Sequence, residues 1–344
     1  MIRRINGIKI AGISCCIPKK KIVNRNVKNR KNILRTIRAI GIESRPVADE
    51  NTTTSDLVFK SAEHIIRKLQ WKKEEIDILI FVSQTPDYLT PATSGILQNK
   101  LKLKKSILVY DINLGCSGYT HGLIAISSLM KSLNLKKGLL AVGDLGSKLV
   151  HKKDNVSNLL FGDAGSVTAI ENINNYENMY FDYLSDGSGF DDIIVPSHSL
   201  SGRIKLSKNQ MKDKKDKNNN IRSNINICLN GANIFNFAIN NIPLMIENFT
   251  KKIKNIKYCF LHQANKLIQD SVKKQLAKNN FIFPSSLKKY GNTSSATIPI
   301  TICHNYSGQN LPGYSLFCGF GVGLSISTVI INLHNTKIFK IIKL

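Results

Sequence analysis

The chain has 344 residues, 42% of them hydrophobic, which suffices for a sizeable core and suits two domains or one duplicated one. Its seven cysteines are odd in number, lack a metal-type Cys-x-x-Cys pairing and fall mostly in apolar runs, so a disulfide scaffold is excluded and a reducing compartment is expected. The formal net charge of +26 is spread along the whole chain among abundant Asn and Ile, and with no nucleic-acid motif beside it reads as compositional bias, not a nucleic-acid face.

Lys9 interrupts the apolar stretch of the basic N-terminus, so no signal peptide is expected. A strand is predicted over residues 8–13, ending near Cys15 and Cys16, and residues 26–50 are basic and irregular. From Thr54 a helix is signalled, with Ser55 and Asp56 as capping groups and Leu57, Ala62, Ile65, Ile66 and Leu69 at helical spacing. Residues 76–82 read as a buried strand ending at Ser83-Gln-Thr-Pro-Asp87, and a helix follows over 92–101. A strand starting at Ser106 runs into Asp111-Ile-Asn-Leu-Gly-Cys-Ser-Gly-Tyr-Thr120. A helix leaves that turn through residues 122–130, closed by Lys136-Lys137-Gly138. Strands at 139–143 and 167–170, the latter after Phe161-Gly-Asp-Ala-Gly-Ser166, complete an alternation typical of a layered α/β fold.

Residues 208–224 are low in complexity, lack apolar anchors and read as a mobile surface excursion. Helical spacing resumes at Ile234, Phe235, Ala238, Ile242 and Met245, with Pro243 expected to interrupt or restart the helix. The second half then repeats the grammar of the first. A strand over 256–261 ends at His262-Gln-Ala-Asn265, a helix follows, and a turn at Tyr290-Gly-Asn-Thr-Ser-Ser-Ala296 leads to a strand ending at Gly319-Phe-Gly-Val-Gly323. The interval from Cys116 to Gly143 equals that from Asn292 to Gly319. A duplication would bring the ends of matching strands, and with them Cys116, His262, Asn292 and the glycine loop, to one axis. The uncharged stretch 311–335 is broken by glycines, serines and asparagines, so it reads as two core strands and not as a membrane span.

Cys116, between Gly115 and Gly118, occupies a tight strand-to-helix turn where the helix dipole is expected to lower its pKa; a small structural cysteine is the alternative. A thiol nucleophile needs a polar partner and an oxyanion hole. His262, directly after a buried strand, is the best-placed imidazole, whereas His121 lies about 140° around the helix from the thiol. Asn292 taken alone would serve an ordinary turn. The glycine loop does not fit a dinucleotide site, because the segment after it is strand-like.

Asn113-Leu-Gly-Cys-Ser-Gly-Tyr119, Phe161-Gly-Asp163, His262-Gln-Ala-Asn265, Gly291-Asn-Thr-Ser-Ser-Ala296 and Gly319-Phe-Gly-Val-Gly323 occur in the order found in the β-ketoacyl-acyl-carrier-protein synthase III family, which the chain resembles from about residue 7 to 333. The resemblance implies a thiolase-like α/β fold of two pseudo-duplicated halves in five α-β-α-β-α layers. Residues 1–172 would carry the cysteine, and residues 173–344 the histidine and asparagine. It implies that Cys116 accepts an acyl group from a thioester, and that His262 and Asn292 donate hydrogen bonds to the malonyl thioester as CO₂ leaves. The backbone N–H groups of Cys116 and Gly323 would form the oxyanion hole. It further implies a cytoplasmic homodimer that uses acyl-carrier protein and acyl-CoA, needs no metal or redox cofactor, and neither binds nucleic acid nor inserts into a membrane.

Three departures bear on the donor. Arg35 stands where the family usually has a tryptophan for the CoA adenine, Asn155 where an arginine precedes Phe-Gly-Asp, and Leu267 where a docking arginine follows His-Gln-Ala-Asn. A donor other than conventionally held acetyl-CoA is therefore expected. Carrier-protein docking is assigned to Lys266 and Lys273, with Lys254, Lys257 and Lys274 nearby. Thr90, smaller than the phenylalanine common near the acyl pocket, suggests room for a longer or branched chain. Decarboxylative condensation is favoured over acyl transfer from Cys116 to an alcohol or amine, because transfer has no use for an enolate-stabilising pair, and over a non-catalytic scaffold.

Overall fold

The long apolar runs fold into two mixed β-sheets that face each other across a layer of helices. The structure, a computed structural model, describes residues 2–27, 33–154, 157–174, 176–216 and 220–344. The first sheet contains β1 (Ile8–Ile17), β2 (Ile78–Val82), β3 (Leu108–Ile112), β4 (Lys137–Leu145) and β5 (Asp163–Asn172). Its order is β1-β5-β4-β2-β3, and the C-terminal strands Lys337–Ile338 and Ile342–Lys343 pair outside β1. The second contains β6 (Met179–Ser185), β7 (Ile256–Leu261), β8 (Tyr314–Gly321) and β9 (Ser325–Asn332) in the order β6-β9-β8-β7, with the strand Arg3–Ile5 outside β6.

One parallel pairing followed by two antiparallel ones occurs twice, as β2-β4-β5-β1 and as β7-β8-β9-β6. This repeated order is the structural counterpart of the matched intervals in the sequence. The halves also exchange their ends, because each terminal strand pairs with the sheet of the opposite half.

The helices are α1 (Ile33–Ile40), α2 (Thr54–Leu69), α3 (Thr93–Lys100), α4 (Gly118–Ser132), α5 (Gly231–Lys252), α6 (Lys266–Gln275) and α7 (Thr297–Tyr306). Val58, Ala62 and Ile65 of α2 and Leu97 of α3 cover the outer face of the first sheet, against Leu79, Phe81 and Leu139. Tyr119, Leu123 and Ile126 of α4, with Ile298 and Ile302 of α7, fill the space between Ile80 and Val142 of one sheet and Phe260 and Phe317 of the other. Ala238, Ile242, Ile268 and Val272 of α5 and α6 pack on the outer face of the second sheet. Strands covered on both faces need apolar residues at every position, which is why β2 reads as an unbroken apolar run.

Several local expectations are corrected. Helix α2 is capped by Thr53, whose backbone N–H reaches Asp56 Oδ2 at 3.0 Å, so Asp56 serves from inside the first turn and Ser55 is not the cap. Helix α4 stops at Ser132, and Asn134 takes the left-handed conformation at φ 52°; Lys137 and Gly138 already belong to β4. Pro243 does not interrupt α5. It leaves the Ile239 carbonyl without its usual partner, and Gln275 Nε2 of α6 donates to that oxygen at 3.2 Å.

The described part of 208–224 is not a structureless excursion. It holds a one-turn helix, Lys208–Met211, and an antiparallel ladder of Lys214–Lys215 with Ile221–Arg222, tied by Arg222 to Asp216 at 2.7 Å. Polar contacts replace the missing apolar anchors. All seven cysteines are free, and among the described residues no helix is long and apolar enough to cross a membrane.

Leu123 is fully buried between the sheets, so Leu123→Ala is expected to cost about 2–5 kcal/mol in urea unfolding. Leu133→Ala, at a position 53% exposed, is expected to stay within about 0.5 kcal/mol.

Candidate active site

Three loops at the ends of buried elements meet at one cavity of about 180 Å³. The first is the turn between β3 and α4. Gly115 lets Gln84 approach it, because a Cβ there would stand 2.3 Å from Gln84 Oε1 and would push that side chain aside. The turn leaves Cys116 half-buried, with its thiol in the cavity wall. Gly321 of β8 passes over it so closely that a Cβ would lie 2.6 Å from Cys116 Cβ.

The second loop starts where β7 ends. His262 is fully buried, and its backbone N–H bonds to the Cys318 carbonyl at 2.8 Å, which extends the β7–β8 pairing by one residue. Its ring Nδ1 lies 2.7 Å from Thr297 Oγ1, and Phe320 meets the ring edge-on. Nε2 has no hydrogen-bond partner among the described residues. Burial pushes the imidazole pKa down to about 3, so the ring is neutral at physiological pH.

The third loop precedes α7. Asn292 is held by its backbone, which bonds to Leu160 O at 2.9 Å and accepts from Gly162 N at 3.0 Å. Its Oδ1 accepts from Ser294 N at 2.9 Å, so the amide Nδ2 is the end left to donate into the cavity. Cys116, His262 and Asn292 thus come together as expected, from both halves of the chain.

Asp144, at the end of β4, was not anticipated. Its carboxylate is buried and accepts from Ser83 Oγ at 3.1 Å, Gln84 N at 2.7 Å, Ser295 N at 3.2 Å and Ser295 Oγ at 2.7 Å. The signal in the sequence was an acidic residue directly after a buried strand. Gln84 was also passed over; its side chain packs on Gly115 and lines the cavity.

The thiol does not have the lowered pKa expected of a helix N-terminus. Burial pushes Cys116 up to about 11, and the nearby Asp144 charge acts in the same direction against the Val322 backbone N–H. Cys116 also sits one residue before the Ser117 N-cap, outside the helix itself. The backbone donor beside the thiol is Val322, not Gly323. Val322 lines the cavity, whereas a Cβ on Gly323 would meet Ser325.

Lys266 is exposed and paired with Asp270, and Lys273 lies over the Phe283 ring with its pKa lowered by burial. Both line a shallow surface groove with Arg38 and Lys288, and Leu267 beside them is exposed. Thr90 is exposed and does not line the cavity of its own chain. Arg35 is exposed on α1, and Asn155 lies outside the described residues. Among the other docking candidates, Lys254, Lys257 and Lys274 are all exposed.

The chain as a whole is similar to known proteins. Residues 110–187 match the model of 3-oxoacyl-[acyl-carrier-protein] synthase III, and residues 246–333 match that of its C-terminal region. Beta-ketoacyl-[acyl-carrier-protein] synthase III of Clostridium perfringens is 32% identical over 96% of this chain and 100% of its own. That of Clostridium tetani is 34% identical over 83% and 85%. The crystal structure of a 3-oxoacyl-(acyl-carrier protein) synthase from Burkholderia xenovorans superposes with a TM-score of 0.90 at 32% identity, over 100% of this chain and 99% of that one.

The raised thiol pKa sets a pH dependence. Iodoacetamide labelling of Cys116 is expected to rise about tenfold per pH unit from about pH 7 to 10, because only the thiolate reacts. A plateau near the ordinary thiol pKa would contradict the burial argument. Asp144→Asn turns an amide N–H₂ toward the backbone N–H of Gln84 or of Ser295, which cannot accept, and is expected to cost about 1–3 kcal/mol in unfolding experiments.

Proposed function

Because the chain belongs to the 3-oxoacyl-[acyl-carrier-protein] synthase III family, we propose that Cys116, His262 and Asn292 carry out its decarboxylative condensation. The protein condenses an acyl thioester with malonyl-acyl-carrier protein to give a β-ketoacyl product, a reaction of fatty-acid biosynthesis. The observation that carries the residue assignment is the convergence on one cavity of a thiol, a buried imidazole nitrogen without a partner and an amide fixed with Nδ2 free.

In the first half-reaction Cys116 gives up its thiol proton and its Sγ attacks the donor carbonyl carbon; the bond from that carbon to the donor sulfur breaks, and the departing thiolate takes up a proton, leaving the acyl group on the enzyme. In the second, the bond between the malonyl α-carbon and its carboxylate breaks and CO₂ leaves. The electron pair moves onto the thioester oxygen, where His262 Nε2 and Asn292 Nδ2 stabilise the enolate by hydrogen bonds. Donors in a dry site need no reorganisation as the charge develops. The enolate carbon attacks the acyl carbonyl on Cys116, with the Cys116 and Val322 N–H groups facing the resulting oxyanion. Collapse expels the Cys116 thiolate and frees the β-ketoacyl thioester. The reaction balances without a metal or redox cofactor, and its acyl-enzyme step makes the protein an acyltransferase.

The exposed Arg35 supports a donor other than conventionally held acetyl-CoA, since no aromatic ring stands there to stack on adenine. A second copy of the chain is the proposed partner along β3. That strand pairs with β2 on one side only, and Leu108 on it and the adjacent Tyr88 and Leu89 are exposed. This arrangement would carry Thr90 toward the partner's acyl pocket. Lys266 and Lys273 are proposed to meet the acidic carrier protein at the groove beside α1 and α6.

Intact-mass spectrometry with a panel of acyl-CoA and acyl-carrier-protein thioesters tests the reading. The wild type is expected to gain an acyl group that Cys116→Ala does not. His262→Ala and Asn292→Ala should still load but condense about 10²–10³-fold more slowly with malonyl-carrier protein. Loading followed by transfer to an alcohol or amine, without condensation, would overturn the assignment. Charge reversal at Lys266 and Lys273 is expected to raise the carrier-protein KM about tenfold with kcat retained, and an unchanged KM would remove those residues from docking.

A further inference from the structure

A serine at the N-cap of a helix ordinarily accepts a hydrogen bond from a backbone N–H of the first turn. Ser117, the N-cap of α4 and the residue after Cys116, makes no such bond, although it is buried. Its Oγ lies instead 2.7 Å from Oγ of Ser325, the first residue of β9. Ser325 Oγ donates to the Val322 carbonyl at 2.8 Å, and a hydroxyl has one proton, so Ser117 is the donor between the two serines. Ser325 is buried too and pairs with Gly321 across the β8–β9 hairpin, so it is anchored independently of the turn it holds. Two residues further along the same face of β9, Ser327 Oγ bonds to Thr120 Oγ1, and Thr120 donates to the Ser117 carbonyl at 2.9 Å. The first turn of α4 is thus tied to β9 by hydroxyls where an apolar contact would have sufficed for packing.

We propose that Ser117 and Ser325 are positioning residues that aim the Cys116 and Val322 N–H groups at one oxyanion, through the bonds from Ser117 to Ser325 and from Ser325 to the Val322 carbonyl. This rests on the reading above that a thioester acylates Cys116. The two N–H groups come from separate loops in opposite halves of the chain, so no local backbone geometry keeps them at a common distance from one oxygen. The Val322 N–H reaches the thiol, but the next residue is Gly323 at φ 140°, which gives the turn no side chain to stiffen it. A bond to the Val322 carbonyl fixes the peptide plane between these two residues and with it the direction of the Val322 backbone. Neither serine lines the cavity, and both hydroxyls keep their hydrogen throughout the reaction.

Two reactions of the Cys116 thiol in the full chain separate this role from packing. Acylation by a thioester passes through an oxyanion, whereas alkylation by iodoacetamide passes through none. Ser325→Ala is expected to slow acyl loading, followed by intact mass, about tenfold while iodoacetamide labelling stays within about twofold of wild type; Ser325→Thr, which keeps the hydroxyl, should regain most of the loss. Ser117→Ala leaves the bond from Ser325 to Val322 in place and is expected to slow loading about threefold, again with labelling retained. It decides the matter if Ser325→Ala does not fold. Because the two bonds act in series, the double variant should load no more slowly than Ser325→Ala alone. Loading at the wild-type rate in the folded variants, or equal slowing of loading and labelling, overturns the proposal. A wild type that loads acyl groups but does not condense them with malonyl thioester would overturn the condensation reading alone, and the loading rates would still decide the role of the serines.

Discussion

Asp144 sits where the two halves of the molecule have to agree. Its carboxyl group binds the end of β2 through Ser83 and Gln84 and the loop before α7 through Ser295, so one buried side chain ties the cysteine half to the asparagine half. Burial pushes the Asp144 pKa up, and the hydrogen bonds from Ser295, Gln84 and Ser294 act against that shift. The arrangement tolerates little change because two of the groups around it, the Gln84 and Ser295 backbone N–H, can only donate. The geometry of Asn292 follows, since its loop cannot shift without breaking the bonds from Ser295.

The same burial governs the chemistry. It raises the Cys116 thiol and lowers the His262 imidazole, so the resting site contains neutral groups beside one carboxylate that is already satisfied. A neutral donor pair suits an enolate, whose charge appears only after CO₂ departs. In a low-dielectric cavity fixed N–H dipoles act more strongly than in water, and neither donor has to change its protonation state as the charge develops. The helix dipole, which the sequence made the obvious activator of Cys116, is outweighed because the residue lies before the N-cap and close to Asp144.

The repeated sheet order shows how a strongly basic, compositionally biased chain keeps this site. Among the described residues the lysines and most asparagines lie at or near the surface, while β2, β4, β7 and β8 are covered on both faces and keep the apolar runs that fix the register. The register places His262 one residue past β7, and Gly321 above the thiol. The excursion near residue 214 and the unbroken α5 show the same tolerance at the periphery. Arg222 with Asp216, and Gln275 with Ile239, supply by polar contact what the local sequence lacked.

By itself the sequence determined the layered α/β class, pointed to the internal repeat and offered Cys116, His262 and Asn292 as the candidate set, because strand periodicity and turn glycines are local signals and the motifs lie in short segments. It named Gly323 where the backbone donor beside the thiol is Val322, and it missed Asp144 and Gln84. Only the tertiary structure decided those. Val322 faces the thiol because of how β8 turns into β9, and Asp144 matters through donors far away in the chain. The protonation states of the thiol and the imidazole depend on burial from all sides. Local spacing shows which side chains an element offers, but desolvation and hydrogen bonding across the two halves exist only once the sheets have closed on α4 and α7.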